Sequence, residues 1–384
     1  MRFEFATATR IIFGQGASRE VAPLAAGMGR RALVVTGRSP ERAWELFSRL
    51  REQSIEFHTF KVPGEPTTAL ALEGVKVARQ AGCDLVIGFG GGSVLDTGKV
   101  IAALLTNSGK LMDYLEIVGR GLPLKKLSAP YIAIPTTAGT GAEVAFNAVL
   151  ISPEHRVKIS MRSPLMAARL AVVDPDLTST MPPALTASTG LDALTQVIEP
   201  FVSRQANPLT DGLCREGMQR AGSSLRRAFE DGSEAGCRED MALTSLFGGL
   251  ALANAKLGAV HGLAGPLGGM IHAPHGVICA RLLPLVMEAN VAACKSRAPD
   301  SPALARYDDV AGILTGKPAA RAADGILWVE ELCAALKVPR LGEFGLTEDD
   351  FPEAVDKAQR ASSMKGNPVT LTAEELTAIL RKAL

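Results

Sequence analysis

Two side chains in the run GLDALTQVIEP, Asp192 and Gln196, stand four positions apart, and two imidazoles follow downstream, His261 in AVHGLAGPLGG and His275 in APHG. Four residues is close to one helical turn, so Asp192 and Gln196 share a face where their oxygens can converge with imidazoles carried by later helices. A carboxylate with three imidazoles suits a borderline divalent metal such as Fe2+ or Zn2+, with a position left for a substrate oxygen. Gln196 stands where a third imidazole would complete that set, and it offers only a neutral carbonyl oxygen, a poorer ligand. Of five histidines, His261, His272 and His275 fall within fifteen residues. His272, on a turn before His275, is a candidate substitute ligand or proton carrier, whereas His58 and His155 have no partners in sequence and read as surface residues. Asp192 has a second reading, as a helix N-terminal carboxylate favoured by the helix dipole.

A second chemical signal is GFGGGSVLDTGK, Gly88 to Lys99, which follows the apolar run DLVI and opens into the helix-compatible VIAALL. Gly90, Gly91 and Gly92 let backbone amides approach a pyrophosphate, and the dipole of the helix that follows favours the same anion, with Ser93 and Asp96 as further cofactor-binding candidates. Tight turns use glycine too, but IPTTAGTGAEV places Thr136, Thr137 and Thr140 at a second strand end, and hydroxyls there hydrogen-bond phosphate or ribose. At the end of RALVVTG, where an acidic residue would bind a ribose 2′-hydroxyl, the chain reads Thr36, Gly37, Arg38, Ser39. Arg38 and Ser39 could receive a 2′-phosphate instead, which favours NADP over NAD; a solvated turn arginine is the plain alternative.

The elements that must hold these residues fall into two regions. Through about residue 180 short β-branched runs (RALVVTG, IEFHTFKV, DLVIGFGGG, YIAIPTT, LAVVDP) alternate with helical stretches, as in an α/β fold with a parallel sheet. Beyond MPPALTAST the strand signals fade and long amphipathic stretches follow one another, as in an all-α helical domain. Pro182 and Pro183 mark the boundary, giving an α/β dinucleotide-binding domain over 1–182 and a helical metal and substrate domain over 183–384. A length of 384 residues suits two domains of roughly 100–200 residues each.

Composition narrows the partners. The hydrophobic fraction is 47% and the net charge +1, so nucleic acid and anionic membrane surfaces are not expected. Six scattered cysteines without a CxxC pair fit reduced thiols packed as small hydrophobes in a cytoplasmic enzyme. No basic leader precedes an apolar stretch, and no run approaches the ~20 apolar residues of a membrane span.

Read in order, RIIFGQGA, GGGSVLDTGK, PTTAGTGAEV, VVDPDLTSTMPP, TGLDALTQVIEPFVS, GAVHGLAGPLGG, PHGVICARLLP and SSMKGNPVTLT give a chain that resembles the iron-containing (group III) alcohol dehydrogenases over nearly its full length. The resemblance implies a nucleotide-binding domain, a helical domain, and a cleft between them where Fe2+, or sometimes Zn2+, polarises an alcohol oxygen while hydride passes to the nicotinamide of NAD or NADP. It implies metal ligands at Asp192, position 196, His261 and His275, and cofactor contacts at Gly91, Gly92, Ser93, Thr136, Thr137, Thr140, Asn147 and Lys158. It also implies a homodimer acting on a small-molecule alcohol or carbonyl compound. Gln196 departs from the family's histidine, Gly265 from a second histidine four residues after His261, and Ala142 and Ala145 from hydroxyl residues of the cofactor loop. Two other readings follow from Gln196: a metal-independent reductase like the maleylacetate reductases, whose side chains would bind an oxyanion or substrate carboxylate directly, and a non-catalytic nucleotide-binding protein.

Overall fold

The computed structural model describes residues 2–384 and contains two compact units. One spans Ala6–Thr137 and Gly141–Ser179; the other comprises Thr180–Leu384 with Ala138–Thr140 and the residues through Phe5.

The first unit is α/β. Its strands are β1 (Ile11–Phe13), β2 (Arg31–Thr36), β3 (Glu56–Lys61), β4 (Leu85–Gly90), β5 (Tyr131–Pro135), β6 (Asn147–Ser152), β7 (Val157–Arg162) and β8 (Leu170–Val173). Its helices are α1 (Val21–Ala26), α2 (Trp44–Glu52), α3 (Thr68–Gln80), α4 (Gly92–Thr106) and α5 (Leu111–Tyr114). Six strands form a parallel sheet in the order β1-β8-β5-β4-β2-β3. β4, β5 and β8 are buried along their whole length, which is why they read as continuous apolar runs rather than alternating ones. β3 lies at an edge and is largely exposed. The chain passes from β2 outward to β3, then crosses back to place β4 on the other side of β2. The order therefore reverses between β2 and β4, and in open parallel sheets ligands bind beyond the carboxyl ends of the strands at such a point. α4 starts there, two residues after β4 ends. β6 and β7 form a separate antiparallel hairpin that the sequence reading did not anticipate, its faces alternating buried and half-buried.

The second unit is helical: α6 (Pro183–Val202), α7 (Pro208–Glu230), α8 (Ala235–Ala255), α9 (Ala259–Met270), α10 (His275–Arg297), α11 (Pro302–Thr315), α12 (Ala322–Ala335), α13 (Phe351–Arg360) and α14 (Ala373–Ala383). Pro183 is the first residue of α6, where a missing N–H costs nothing. From Leu191 to Val202 α6 is buried on every side, the pattern of a central helix, and α7, α8 and α10 pack around it. One correction to the sequence reading arises here. α10 is long and apolar enough to cross a bilayer by length and composition, yet 67% of its apolar window is buried within the protein, as in a core helix.

Candidate functional site

α6, α9 and α10 bring four potential donors together inside the helical unit. Asp192 comes from α6, His261 from α9, and His275 and Cys279 from α10, with one ligand atom of each lying within 4.8 Å of all the others. His261 Nε2 lies 3.3 Å from Asp192 Oδ1, and the Cys279 sulfur lies 3.6 Å from His275 Nε2 and 3.8 Å from His261 Nε2. The approach of α10 to α6 depends on Gly276, because a Cβ there would collide with the Ser188 carbonyl. His275 is the first residue of α10 and Asp192 lies one turn beyond Ser188 on α6, so this close approach brings the two near each other.

The other face of His261 is held by Glu199, also on α6. Glu199 Oε2 lies 2.6 Å from His261 Nδ1, and its Oε1 accepts the Val260 N–H at 2.7 Å. A carboxylate bound to one ring nitrogen fixes the tautomer and aims the other nitrogen, the arrangement that accompanies metal-ligating histidines. Burial disfavours a charged His261 ring, yet Cys279, Asp192 and Glu199 around it raise its pKa well above the usual value. Burial likewise opposes ionisation of Asp192, but His261 and His275 outweigh it and hold the carboxyl below its ordinary range. Burial pushes the Cys279 thiol up to about 12.

The group fits a divalent cation. Asp192 Oδ1 and Gln196 Oε1 are buried without a hydrogen-bond partner among the described residues, and buried oxygens of this kind call for a cation or a donor. The Gln196 amide is anchored through Nε2, which donates to the Gly139 carbonyl at 3.2 Å. His272 is not part of the group. It is exposed on the segment before α10, between buried Ile271 and Ala273. Gly265 faces open space: a Cβ there would meet nothing within 4 Å.

In the α/β unit, Gly91 is the N-cap of the 15-residue α4, and no side chain caps that helix. The Thr136 N–H donates to the Gly90 carbonyl at 3.0 Å, so the loops after β4 and β5 lie side by side with the Thr137 side chain next to Gly91. Gly91, Gly92 and Ser93 are half-buried and accessible. Asp96 faces inward instead. Its Oδ2 accepts the Val149 N–H at 2.9 Å and its Oδ1 pairs with buried Lys99 at 2.9 Å, which ties α4 to the hairpin. Lys99 also donates to the Ala145 and Asn147 carbonyls. Asn147 and Lys158 do not lie together: Asn147 pairs with Arg162 and Lys158 with Ile151, and the Lys158 ammonium sits 3.0 Å from Glu65. Thr140 belongs with the helical unit. Arg38, exposed beyond the end of β2 with Gly37 and Ser39, donates through Nε to the Pro63 carbonyl.

The sequence profile of the iron-containing alcohol dehydrogenases matches residues 8–175, and that of the C-terminal part of the Fe-containing alcohol dehydrogenase family matches 186–384. The chain belongs to the iron-containing alcohol dehydrogenase family. Membership makes it an oxidoreductase of alcohols or aldehydes. Alcohol dehydrogenase 4 of Saccharomyces cerevisiae is 35% identical over 377 residues, covering 97% of this chain and 96% of the yeast protein. The crystal structure of a 1,3-propanediol oxidoreductase superposes with a TM-score of 0.91 at 33% identity, covering 100% of both chains. Sulfoacetaldehyde reductase from Bifidobacterium kashiwanohense, solved with NAD+, superposes at 0.86 and 26% identity, covering 100% of this chain and 99% of its own.

Within this family frame the sequence reading missed two residues at the site, Cys279 in the group and Glu199 behind His261. Both carried a signal. Glu199 lies seven positions after Asp192, two turns along the same face of α6, and Cys279 lies four after His275, one turn along α10.

Proposed function

We propose that the protein is a reversible NAD(P)-dependent oxidoreductase that interconverts an alcohol with an aldehyde or ketone at a metal centre in its helical unit. The observation that carries this reading is the convergence of Asp192, His261 and His275 on one buried point. A divalent ion held there would supply Lewis acidity toward the substrate oxygen, the chemistry that eases hydride transfer at the adjacent carbon. Asp192 contributes the negative charge that a cation needs in a buried site, and Glu199 holds the His261 ring so that Nε2 faces it. The α/β unit, taken as residues 1–182, binds the nucleotide. Its α4 N-terminus receives the pyrophosphate, and Thr136 and Thr137 offer hydroxyls beside it. Gly265 leaves room for substrate on the helix that carries His261.

The test is elemental analysis of the purified protein combined with titration by NADH and NADPH and turnover of small alcohols. Nucleotide-dependent turnover that survives complete metal removal would replace this reading with the metal-independent reductase; a folded protein that binds nucleotide but turns over no alcohol or carbonyl compound would replace it with a binding protein.

Two variants sharpen the reading. Glu199→Gln should weaken metal binding by roughly 10–100-fold, the usual cost of losing a carboxylate behind a ligating imidazole, and competition with a chromogenic chelator measures it. Unchanged affinity would mean that the ring is oriented without Glu199. Arg38→Ala should erode a preference for NADPH over NADH by roughly ten- to a hundredfold, as expected for one charge-assisted contact of about 1.5–3 kcal/mol. Equal affinity for the two nucleotides in the unmodified protein would remove Arg38 from the site.

A further inference from the structure

We propose that Cys279 is a ligand of the metal centre, supplying through sulfur the strong donor that Gln196 does not, and that the centre is thereby matched to Zn2+ over Fe2+. The inference rests on the reading that the group holds a metal.

The geometry carries it. For a tetrahedral ion with bonds of about 2.0–2.1 Å to nitrogen or oxygen and about 2.3 Å to sulfur, neighbouring N and O donors stand about 3.3 Å apart and neighbouring N and S donors about 3.5 Å apart. His261 Nε2 to Asp192 Oδ1 is 3.3 Å, and the Cys279 sulfur is 3.6 Å from His275 Nε2 and 3.8 Å from His261 Nε2. These three distances match edges of such a coordination polyhedron, and one donor atom of each of the four residues lies within 4.8 Å of all the others. A second observation points the same way: Asp192, 2% exposed, makes no well-formed hydrogen bond through Oδ1, which faces His261 Nε2 at 3.3 Å in the middle of the group. The other buried cysteines, Cys214, Cys237, Cys294 and Cys333, belong to no comparable cluster of His, Asp or Glu donors among the described residues.

Gln196 is one turn from Asp192 on α6, but its amide is tied down through Nε2 to the Gly139 carbonyl. Its carbonyl oxygen is neutral and hard. Exchanging an imidazole for that oxygen would weaken the site for Zn2+, whereas a thiolate more than restores it and shifts preference toward a softer ion. On binding, the S–H bond of Cys279 is replaced by an S–metal bond and the proton passes to solvent; no electrons are transferred. Asp192, His261, His275 and Cys279 would hold the ion, and zinc so held could still accept a substrate oxygen, an expansion that catalytic zinc accommodates. The weak metal binding expected from Gln196 alone is thereby reversed.

X-ray absorption at the zinc edge on the full-length protein loaded with Zn2+ tests this without reference to turnover. The expected spectrum contains one sulfur neighbour at about 2.3 Å beside nitrogen and oxygen at about 2.0–2.2 Å. Cys279→Ser should remove the sulfur shell, keep the lighter shell, lower Zn2+ affinity at least tenfold and narrow the preference for Zn2+ over Fe2+. Gln196→Ala should keep the sulfur shell. The Co2+-loaded protein should show thiolate-to-metal charge-transfer absorption that the Cys279→Ser protein lacks. Bound zinc with only nitrogen and oxygen neighbours in the unmodified protein overturns the assignment of Cys279 and leaves the oxidoreductase reading intact. Sulfur-bound zinc in a protein inactive toward every alcohol and carbonyl compound upholds the assignment while that reading fails. No zinc or cobalt uptake at all overturns the assignment and the metal centre together.

Discussion

Asp192→Asn should lower turnover by roughly 10^3-fold while leaving nucleotide binding unchanged. Polarisation of a substrate oxygen by a bound cation supplies several kcal/mol of transition-state stabilisation, and each 1.4 kcal/mol is about tenfold in rate. Asp192 is the one carboxylate among the four converging donors, and its Oδ1 lacks a hydrogen bond. Its substitution therefore removes the carboxylate charge that helps draw a cation into a buried site. Asparagine keeps the size and shape of the side chain, so the packing of α6 against α7, α8 and α10 should hold. Metal content should fall with turnover. Three measurements check the idea: elemental analysis of the purified variant, quenching or enhancement of NADH fluorescence on binding, and the alcohol-dependent rate. Full turnover at undiminished metal content would take Asp192 out of the centre. Lost nucleotide binding would mean that the variant had perturbed more than the helical unit.

The parts of the fold that the sequence displayed are those whose environment is uniform. β2, β4, β5 and β8 lie between other strands of a parallel sheet, so nearly every side chain is apolar whichever way it points. β1 has three residues, all half-buried at a sheet edge, and too little apolar periodicity to read. The hairpin β6–β7 did carry a two-residue period, visible as alternating burial, but its strands are half polar and its turn, Pro153–Arg156, has no glycine to announce it.

The same distinction governs the site. Asp192, His261 and His275 stood out because ionisable residues are rare in apolar helical runs. Cys279 did not, because a buried cysteine is most often an inert small hydrophobe, and what makes this one different is a histidine delivered by another helix. His272 is the converse case. Closeness to His275 in sequence suggested closeness in space, but residues 271–274 precede the helix in non-helical backbone, where neighbours alternate between buried and exposed, and His272 falls on the exposed side.

Gly91→Val should abolish nucleotide binding, with affinity reduced at least about a hundredfold, in a protein that still folds. Losing even one or two charge-assisted contacts from backbone amides to pyrophosphate would account for that magnitude. The local geometry separates Gly91 from its neighbour. A Cβ on Gly90 would press within 2.5–3.0 Å of the Val94 side chain in the first turn of α4, so Gly90 is required by the fold itself. At Gly91 the backbone has φ −76° and ψ −175°, an extended conformation open to any residue, and a Cβ would meet only the Thr137 side chain at 3.3 Å. Glycine is therefore not needed at 91 for a left-handed turn, and a few tenths of an ångström of movement by Thr137 would admit a side chain. What valine adds is a pair of methyl groups at the uncapped N-terminus of α4, where an anion must come close to the first-turn amides. Circular dichroism and thermal melting should match the unmodified protein while NADH and NADPH titrations go flat, and Gly90→Val should instead fail in the melting experiment. A Gly91→Val protein that melts early would assign the glycine to the fold, and one that folds and binds nucleotide normally would remove the α4 N-terminus from the cofactor site.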